Sequence, residues 1–517
     1  MKAVSIRHRL LFAIKSLLGL YFLISEGEMF INQMENRLGE KLRFSNDIAT
    51  CFAWPLFVLF LTGCKASSLT PVNTGILIFA FAIISYNIIK SESKDKTGKI
   101  LAVISIAAIA LRTFYVLYTG AEQRQHDMGE FDSDLGNNYH AEYIEYLIEN
   151  HRLLNENVVQ HWQFYHPPLH HIICAGFFSI YRNLAPSMAH NWDALQCLSL
   201  VYSLITLVLA RRFVELWNLS PRGRIISYLA IAFQPQLIVF AGAINNDPLS
   251  VMFAAAALYL TLLWLNDEKK SFLKLMGISV CIGLGMMAKL SAGLIAVPIG
   301  FVMLKVFFES SKKARLVWQY AVFLIVCAPL GLWYQVRSYI LWKVPLTYVA
   351  VPDTVLNPGL VISGVPFWKR FLEFGGGVDY NIIYETLNAA VFDGDYYQEH
   401  MLLALIGYAL LAAFTVFTIT VLANMICCWI KDRSIMNLIM TILVVAEIAS
   451  YISFCFKYPY TCTMSFRYIV PTLIAGAYYS GRSKEVSPNL LSLITTISVW
   501  ALALVSFVFH CLIWIKG

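Results

Sequence analysis

Residues 166–181 read HPPLHHIICAGFFSIY. The apolar part, Leu169 to Tyr181, is about thirteen residues long, whereas a helix crossing a bilayer needs roughly twenty. Pro167 and Pro168 suit a helix start, where a missing N–H costs nothing. The stretch therefore reads as an interfacial helix lying on one side of a membrane. That reading decides the rest of the map. The next apolar run, 193–210, then returns inward and places Arg211, Arg212, Arg222 and Arg224 on the cytoplasmic side, as the positive-inside rule requires. Read as a span, 169–181 would put this basic cluster outside and invert every later connection.

Downstream, the pattern repeats consistently. Apolar runs at 224–242, 248–265, 272–288, 291–307, 316–340, 399–429, 435–455, 468–480 and 490–514 alternate between two kinds of connection. Inner ones carry Lys269, Lys270, Lys274, Lys312, Lys313, Arg315, Lys431, Arg433, Arg482 and Lys484. Outer ones carry Asn245, Asn246 and Asp247, the segment 342–398, and the stretch from Lys457 to Arg467. Upstream, 99–118 is a clear span that exits the cytoplasm. Runs near 10–24, 50–64 and 73–90 precede it, and the first, which contains Lys15, either spans or lies in the interface. The expected fold is an all-α polytopic membrane protein. It has about eleven core transmembrane helices, two or three N-terminal ones in residues 1–98, and a core unit over 99–517.

Composition agrees. The chain has 517 residues, 58% hydrophobic and 14% charged, against about 25% charged in soluble domains. The net charge of +7 resides in the short inner connections, so it marks orientation and gives no reason to expect nucleic acid. No small-residue cleavage site follows the basic start at Lys2, Arg7 and Arg9, so no cleavable signal peptide is expected. The eleven cysteines lie mostly inside apolar runs without metal-knuckle spacing and read as small buried side chains. Cys455 and Cys462 flank one short connection, but a disulfide between them is not expected.

The outer loop 119–192 carries the chemistry. Residues 123–134 read QRQHDMGEFDSD, which places Asp127, Glu130, Asp132 and Asp134 just beyond the span. Tyr139, Tyr143, Ile144, Leu147 and Ile148 then recur at helical spacing, with Glu142, Glu145 and Glu149 opposite, an amphipathic helix expected to lie on the bilayer surface. Acids and cations gathered on one side suit chemistry on a lipid-linked substrate. A lipid phosphate needs cations, and a hydroxyl acceptor needs a base. Arg337, Arg467 and Lys289 map to outer ends of spans, where snorkelling to the interface is the ordinary alternative. Asp247 opens a span before Pro248, where a helix cap is the ordinary alternative. Arg124 lies near Asp127 and is a candidate partner for it. In 342–398, Gly375–Gly377 beside aromatic residues suggests a segment that closes over bound substrate, and Lys369 and Arg370 face either substrate or solvent. No internal repeat is evident, and intramembrane charge is sparse, with Arg112 one exception. Both points weigh against the rival class, a secondary transporter or flippase for a lipid-linked or anionic substrate.

The order of motifs resembles a known family. An acid follows the first core span, then come Tyr165–Leu169 (YHPPL), Asn246–Leu249 (NDPL), Ala288–Ser291 (AKLS), Trp333–Tyr339 (WYQVRSY) and Phe466–Pro471 (FRYIVP). Together they are similar to the GT-C superfamily of polyprenyl-phosphate-sugar-dependent glycosyltransferases. The likeness, over residues 99–480, is to bacterial relatives of protein O-mannosyltransferases and of the lipid A aminoarabinose transferase. The resemblance implies a GT-C fold and one inverting displacement at the anomeric carbon, with Asp127 as general base and Glu130 and Asp247 as further catalytic candidates. Arg124, Tyr165, His166, Lys289, Arg337 and Arg467 would bind substrate. At His166 the aminoarabinose transferases carry lysine and the mannosyltransferases histidine. Asp127 and Asp247 are the candidate ligands of a divalent metal, which no spacing motif demands. The partners implied are a polyprenyl-phosphate sugar donor and a protein, lipid or glycan acceptor. A ligase acting on a lipid-linked oligosaccharide would share the donor chemistry. The expected location is the plasma (inner) membrane, with the site facing outside the cytoplasm.

Overall fold

The computed structural model describes residues 41–91, 95–123, 127–133, 139–351, 358–374, 380–392, 397 and 399–516. The apolar run at 10–24, Arg124, Asp134 and Gly375–Gly377 lie outside them.

Among the described residues the chain is all-α, with seventeen α-helices and short 3-10 turns between them. Nine helical segments there are long and apolar enough to cross a membrane, and the chain is a multi-pass membrane protein. Helices α1 (Lys41–Thr62), α2 (Pro71–Ser91) and α3 (Lys96–Leu117) are followed by two shorter helices, α4 (His140–Asn150) and α5 (Leu169–Leu184). Then come α6 (Gln196–Leu216), α7 (Pro221–Ala232), α8 (Pro235–Val239), α9 (Asp247–Leu265), α10 (Phe272–Ala288), α11 (Ala296–Glu309) and α12 (Lys313–Trp342). The chain ends with α13 (Ile382–Phe392), α14 (Met401–Lys431), α15 (Ile435–Lys457), α16 (Thr472–Val486) and α17 (Asn489–Cys511).

The expected continuous span 224–242 is broken into α7 and α8. Pro235 lacks an N–H and biases its predecessor away from helix, and Gln234 is extended, with ψ 124°. A break at membrane depth frees backbone carbonyls that need donors. Arg112 supplies them. Its Nη1 donates to the Ala232 carbonyl at 2.9 Å and its Nε to Ser203 Oγ at 3.0 Å, while Ser203 Oγ donates to the Leu237 carbonyl at 3.1 Å. The intramembrane arginine is thus a staple for a broken helix. The expected span 468–480 also differs: a 3-10 turn over Phe466–Ile469 precedes α16. There α7 and α16 cross so closely that a Cβ on Gly223 would lie 2.5 Å from the Gly481 carbonyl, the close backbone approach that small residues permit in membranes.

Helices α4 and α5 pack on protein. Tyr143, Ile144, Leu147 and Ile148 of α4 are buried, and the α4 face expected to rest on lipid lies against α5 and the ring of Phe164, 4.2 Å from that of Tyr143. Tyr143 Oη donates to Tyr334 Oη at 3.2 Å, and Tyr334 Oη donates to the Phe164 carbonyl at 2.5 Å. The loop between α3 and α6 is therefore tied to α12. Helix α10 packs between α9 and α12, and these helices with α11 and α15 frame the site.

Candidate active site

Asp127 is held by its backbone. It takes a left-handed conformation, φ 55°, near Gly129 at φ 72°, a region that aspartate tolerates better than most side chains. The first N–H groups of a helix lack intrahelical acceptors. Here the His140 N–H donates to the Asp127 carbonyl at 3.1 Å and the Ala141 N–H to the Met128 carbonyl at 2.8 Å. Beyond it, Phe131 stacks on Trp192, and Trp192 on Phe178 of α5, each pair with centroids 4.1 Å apart. The loop is thereby fastened at α4 and at α5, with the Asp127 carboxylate between.

Three other elements bring partners to it. Arg467 stands on the 3-10 turn before α16, and its Nη2 donates to Asp127 Oδ2 at 3.0 Å and to Tyr468 Oη at 3.1 Å. Its Nη1 lies 4.0 Å from Asp247 Oδ2. Asp247 opens α9 and is buried, and its second oxygen takes the Lys289 ammonium. Lys289 stands where α10 ends and the chain turns extended, φ −153° and ψ 124°, before the 3-10 turn Leu290–Ile295. Tyr468 presents its ring to both cations, 5.0 Å from Lys289 Nζ and 5.1 Å from Arg467 Cζ, within cation–π range.

Two carboxylates and two cations thus form one alternating cluster. Burial alone would ease the proton off Arg467, but Tyr468, Asp127 and Asp247 outweigh it and hold the guanidinium firmly charged. Burial lowers Lys289, against the opposing pull of Asp247. Burial pushes the Tyr468 hydroxyl up to about 12, so it remains a donor.

Asp127, Lys289 and Arg467 of the cluster line a cavity of about 810 Å³, together with the polar side chains of Tyr165, His166 and Asn246. Its apolar lining includes Ile282, Met286, Leu294, Val297, Phe323 and Leu332 from α10, α11 and α12 and their connections. Two buried donors on lining residues, Asn246 Nδ2 and Arg467 Nε, lack a hydrogen-bond partner among the described residues. Unmet donors beside guanidinium and ammonium groups suit an anion.

The other candidates fall in different places. Tyr165 stands edge-on to Tyr348, with centroids 5.4 Å apart, and lies against His166 at 4.3 Å. Burial, reinforced by the Lys289 charge, pushes His166 down to about 3, so at neutral pH it offers a hydrogen bond and no charge. Glu130 is exposed and outside the cavity lining. Asp132 accepts from Trp192 Nε1 at 2.7 Å and lies 3.2 Å from His190 Nδ1. Arg337 also lies off the lining. Its Nη2 donates to the Leu154 carbonyl at 2.7 Å, and its guanidinium covers Trp342. Arg370 is buried and donates to the Cys455 carbonyl at 2.8 Å.

Sequence reading missed His140, Tyr348, Lys457 and Tyr458 on the cavity wall and the central place of Tyr468. Only Tyr468 carried a signal, its position beside Arg467 in FRYIVP. His140 Nδ1 lies 2.8 Å from His171 Nε2, a contact that no spacing announces.

Among the described residues, no three His, Cys, Asp or Glu groups are placed to hold a metal ion. The charge of Asp127 and Asp247 is already matched by Arg467 and Lys289. This donor set does not fit a divalent cation without displacing those pairs.

Residues 165–333 match the family model for dolichyl-phosphate-mannose-protein mannosyltransferase. No curated protein matches the chain in sequence. Among solved structures, the chain is similar to the mycobacterial arabinofuranosyltransferase AftD, with TM-score 0.46, 12% identity, and coverage of 79% of this chain and 27% of that one. It is similar to ArnT from Cupriavidus metallidurans bound to undecaprenyl phosphate, with TM-score 0.44, 13% identity, and coverage of 80% and 76%. A third is the Saccharomyces cerevisiae protein O-mannosyltransferase Pmt1–Pmt2 complex bound to the sugar donor, with TM-score 0.34, 14% identity, and coverage of 56% and 38%. The chain therefore spans about a quarter of the length of AftD. The family that this chain resembles, in its motif order and in the match over residues 165–333, is that of the dolichyl-phosphate-mannose-protein mannosyltransferases.

Proposed function

We propose that this chain is a membrane glycosyltransferase of GT-C type that moves a sugar from a polyprenyl-phosphate donor to an acceptor hydroxyl outside the cytoplasm. The observation that carries the reading is the two-sided cavity. Its polar lining includes Asp127, Arg467 and Lys289, and its apolar lining comes from α10, α11 and α12. A donor with a charged headgroup and a hydrocarbon carrier needs both. The motif order and the family match support the same reading.

In this mechanism the phosphate lies on Arg467 and Lys289, with Asn246 Nδ2 as a further donor. Asp127 accepts the proton of the acceptor hydroxyl as its oxygen bonds to the anomeric carbon. The bond from that carbon to the phosphate oxygen breaks, and the polyprenyl phosphate leaves with the electron pair. One displacement inverts the anomeric configuration. A phosphate that engages Arg467 also loosens its hold on Asp127, so donor binding frees the base. Asp247 touches neither reacting atom in this scheme and positions the two cations. The basic connections at the other end of the helices support the outward orientation of the site.

The test is transfer by the purified full-length chain from a radiolabelled panel of polyprenyl-phosphate sugars, with nucleotide sugars alongside. Label passing to acceptor extract from a polyprenyl-phosphate sugar alone is the expected result. No transfer from any of them would overturn the proposal.

A further inference from the structure

A second cavity, of about 910 Å³, lies at the other end of the same helices. Its walls come from the connection 265–270, the end of α11, residues 310–312, the start of α12 and Ile435 at the start of α15. The Asp127 cavity touches the opposite end of α10, a helix of 17 residues and so about 25 Å long. The two are separate sites.

Lys269, Lys270, Lys305, Lys312 and Arg315 line this cavity, against Glu268 and Glu309. Lys305 pairs with Glu309, and Lys270 Nζ donates to the Leu265 carbonyl at 2.6 Å. Lys269, Lys312 and Arg315 have no side-chain partner among the described residues. Basic inner connections are ordinary in membrane proteins. The distinguishing observation is Gln319, on the cavity wall and only 4% exposed, whose Oε1 has no hydrogen-bond partner among the described residues. An amide placed there without a partner calls for a ligand, and its two ends interchange by a flip. Beside the cations, the same helices expose Leu273, Phe308 and Trp318 at 81%, 70% and 66%. Apolar side chains at that level belong among acyl chains, with tryptophan at the headgroup boundary.

We infer that this cavity binds the phosphate headgroup of an anionic phospholipid of the cytoplasmic leaflet, with Lys269, Lys312 and Arg315 on the phosphate and Gln319 as a neutral hydrogen-bond partner. The volume lies in the roughly 300–1,000 Å³ range of small-molecule sites. The apolar collar favours a lipid over a free anion. The inference stands independently of the chemistry assigned to Asp127.

The test is native mass spectrometry of the purified full-length chain titrated with phosphatidylglycerol or phosphatidylcholine. Wild type should retain phosphatidylglycerol about tenfold better. Lys269→Gln with Lys312→Gln and Arg315→Gln should remove that preference, a loss of about tenfold. Gln319→Leu, which changes no charge, should weaken it several-fold, and Lys312→Arg should preserve it and report that the fold is intact. Equal retention of both lipids would overturn the inference. So would a preference that survives Gln319→Leu undiminished, because a diffuse positive field would then suffice. Displacement by equimolar inorganic phosphate would assign the site to free phosphate and overturn the lipid.

Discussion

Arg467 Nη2 donates to Asp127 Oδ2 at 3.0 Å, joining residues 340 positions apart. The other end of the same guanidinium lies 4.0 Å from Asp247 Oδ2. Only a planar fork on a long stem serves both carboxylates, and a lysine ammonium is a single point. Arg467→Lys is therefore expected to lower kcat/KM about a hundredfold, as loss of one fixed electrostatic contact does, in a protein that still melts as a folded one. Unchanged kcat/KM would remove the bridge from the mechanism.

The Asp247–Lys289 pair predicts a stability pattern. The two side chains are 3% and 11% exposed. Asp247→Ala leaves the Lys289 ammonium buried without its partner, which costs about 3–5 kcal/mol. Asp247→Asn combined with Lys289→Met removes both charges and should recover most of the loss in detergent melting temperature while transfer stays low. A double variant as unstable as Asp247→Ala would show that shape, not charge pairing, sets the cost.

Glu130 and Asp127 should separate sharply in transfer assays. Glu130 is exposed and off the cavity wall, whereas Asp127 lies on it. Glu130→Gln should keep transfer within about twofold of wild type, since exposed substitutions are mostly near neutral. A loss matching that of Asp127→Asn would place Glu130 in the chemistry despite its position.

The histidines give a pH dependence. Burial, with the Lys289 charge added at His166, pushes His166 down to about 3 and His170 down to about 4, and burial also holds His140 and His171 well below the usual histidine range. These groups stay neutral in the folded chain and take up protons on unfolding below about pH 6.5. The unfolded state then binds more protons, so stability falls as pH drops from about 6.5 towards 4. Melting temperature against pH should show this decline, and His170→Phe should make it shallower. A flat profile over that window would mean that the cluster already carries protons when folded.

Much of this was legible in the sequence, for identifiable reasons. Apolar runs and basic connections answer to hydrophobicity and charge, which are local properties, and α3, α9, α10, α11, α12, α14, α15 and α17 lie where those predicted. The break between α7 and α8 was written in Pro235 but masked by the surrounding apolar residues. The cluster itself joins four elements through long-range contacts. Composition placed Asp127, Asp247, Lys289 and Arg467 on one side of the membrane, and only folding brings them within ion-pair range of one another. Arg337 shows the converse. Its motif pointed to the site, yet its guanidinium went to the Leu154 carbonyl and Trp342.

In the proposed mechanism Asp127 is the base for transfer from a polyprenyl-phosphate donor. The most direct measurement compares wild type with Asp127→Asn in donor binding and in sugar transfer from the same radiolabelled polyprenyl-phosphate sugar. Asp127→Asn should keep donor binding within a few-fold of wild type and reduce transfer by about 10²–10⁴, the usual worth of a positioned base. Equal transfer by both proteins would contradict it.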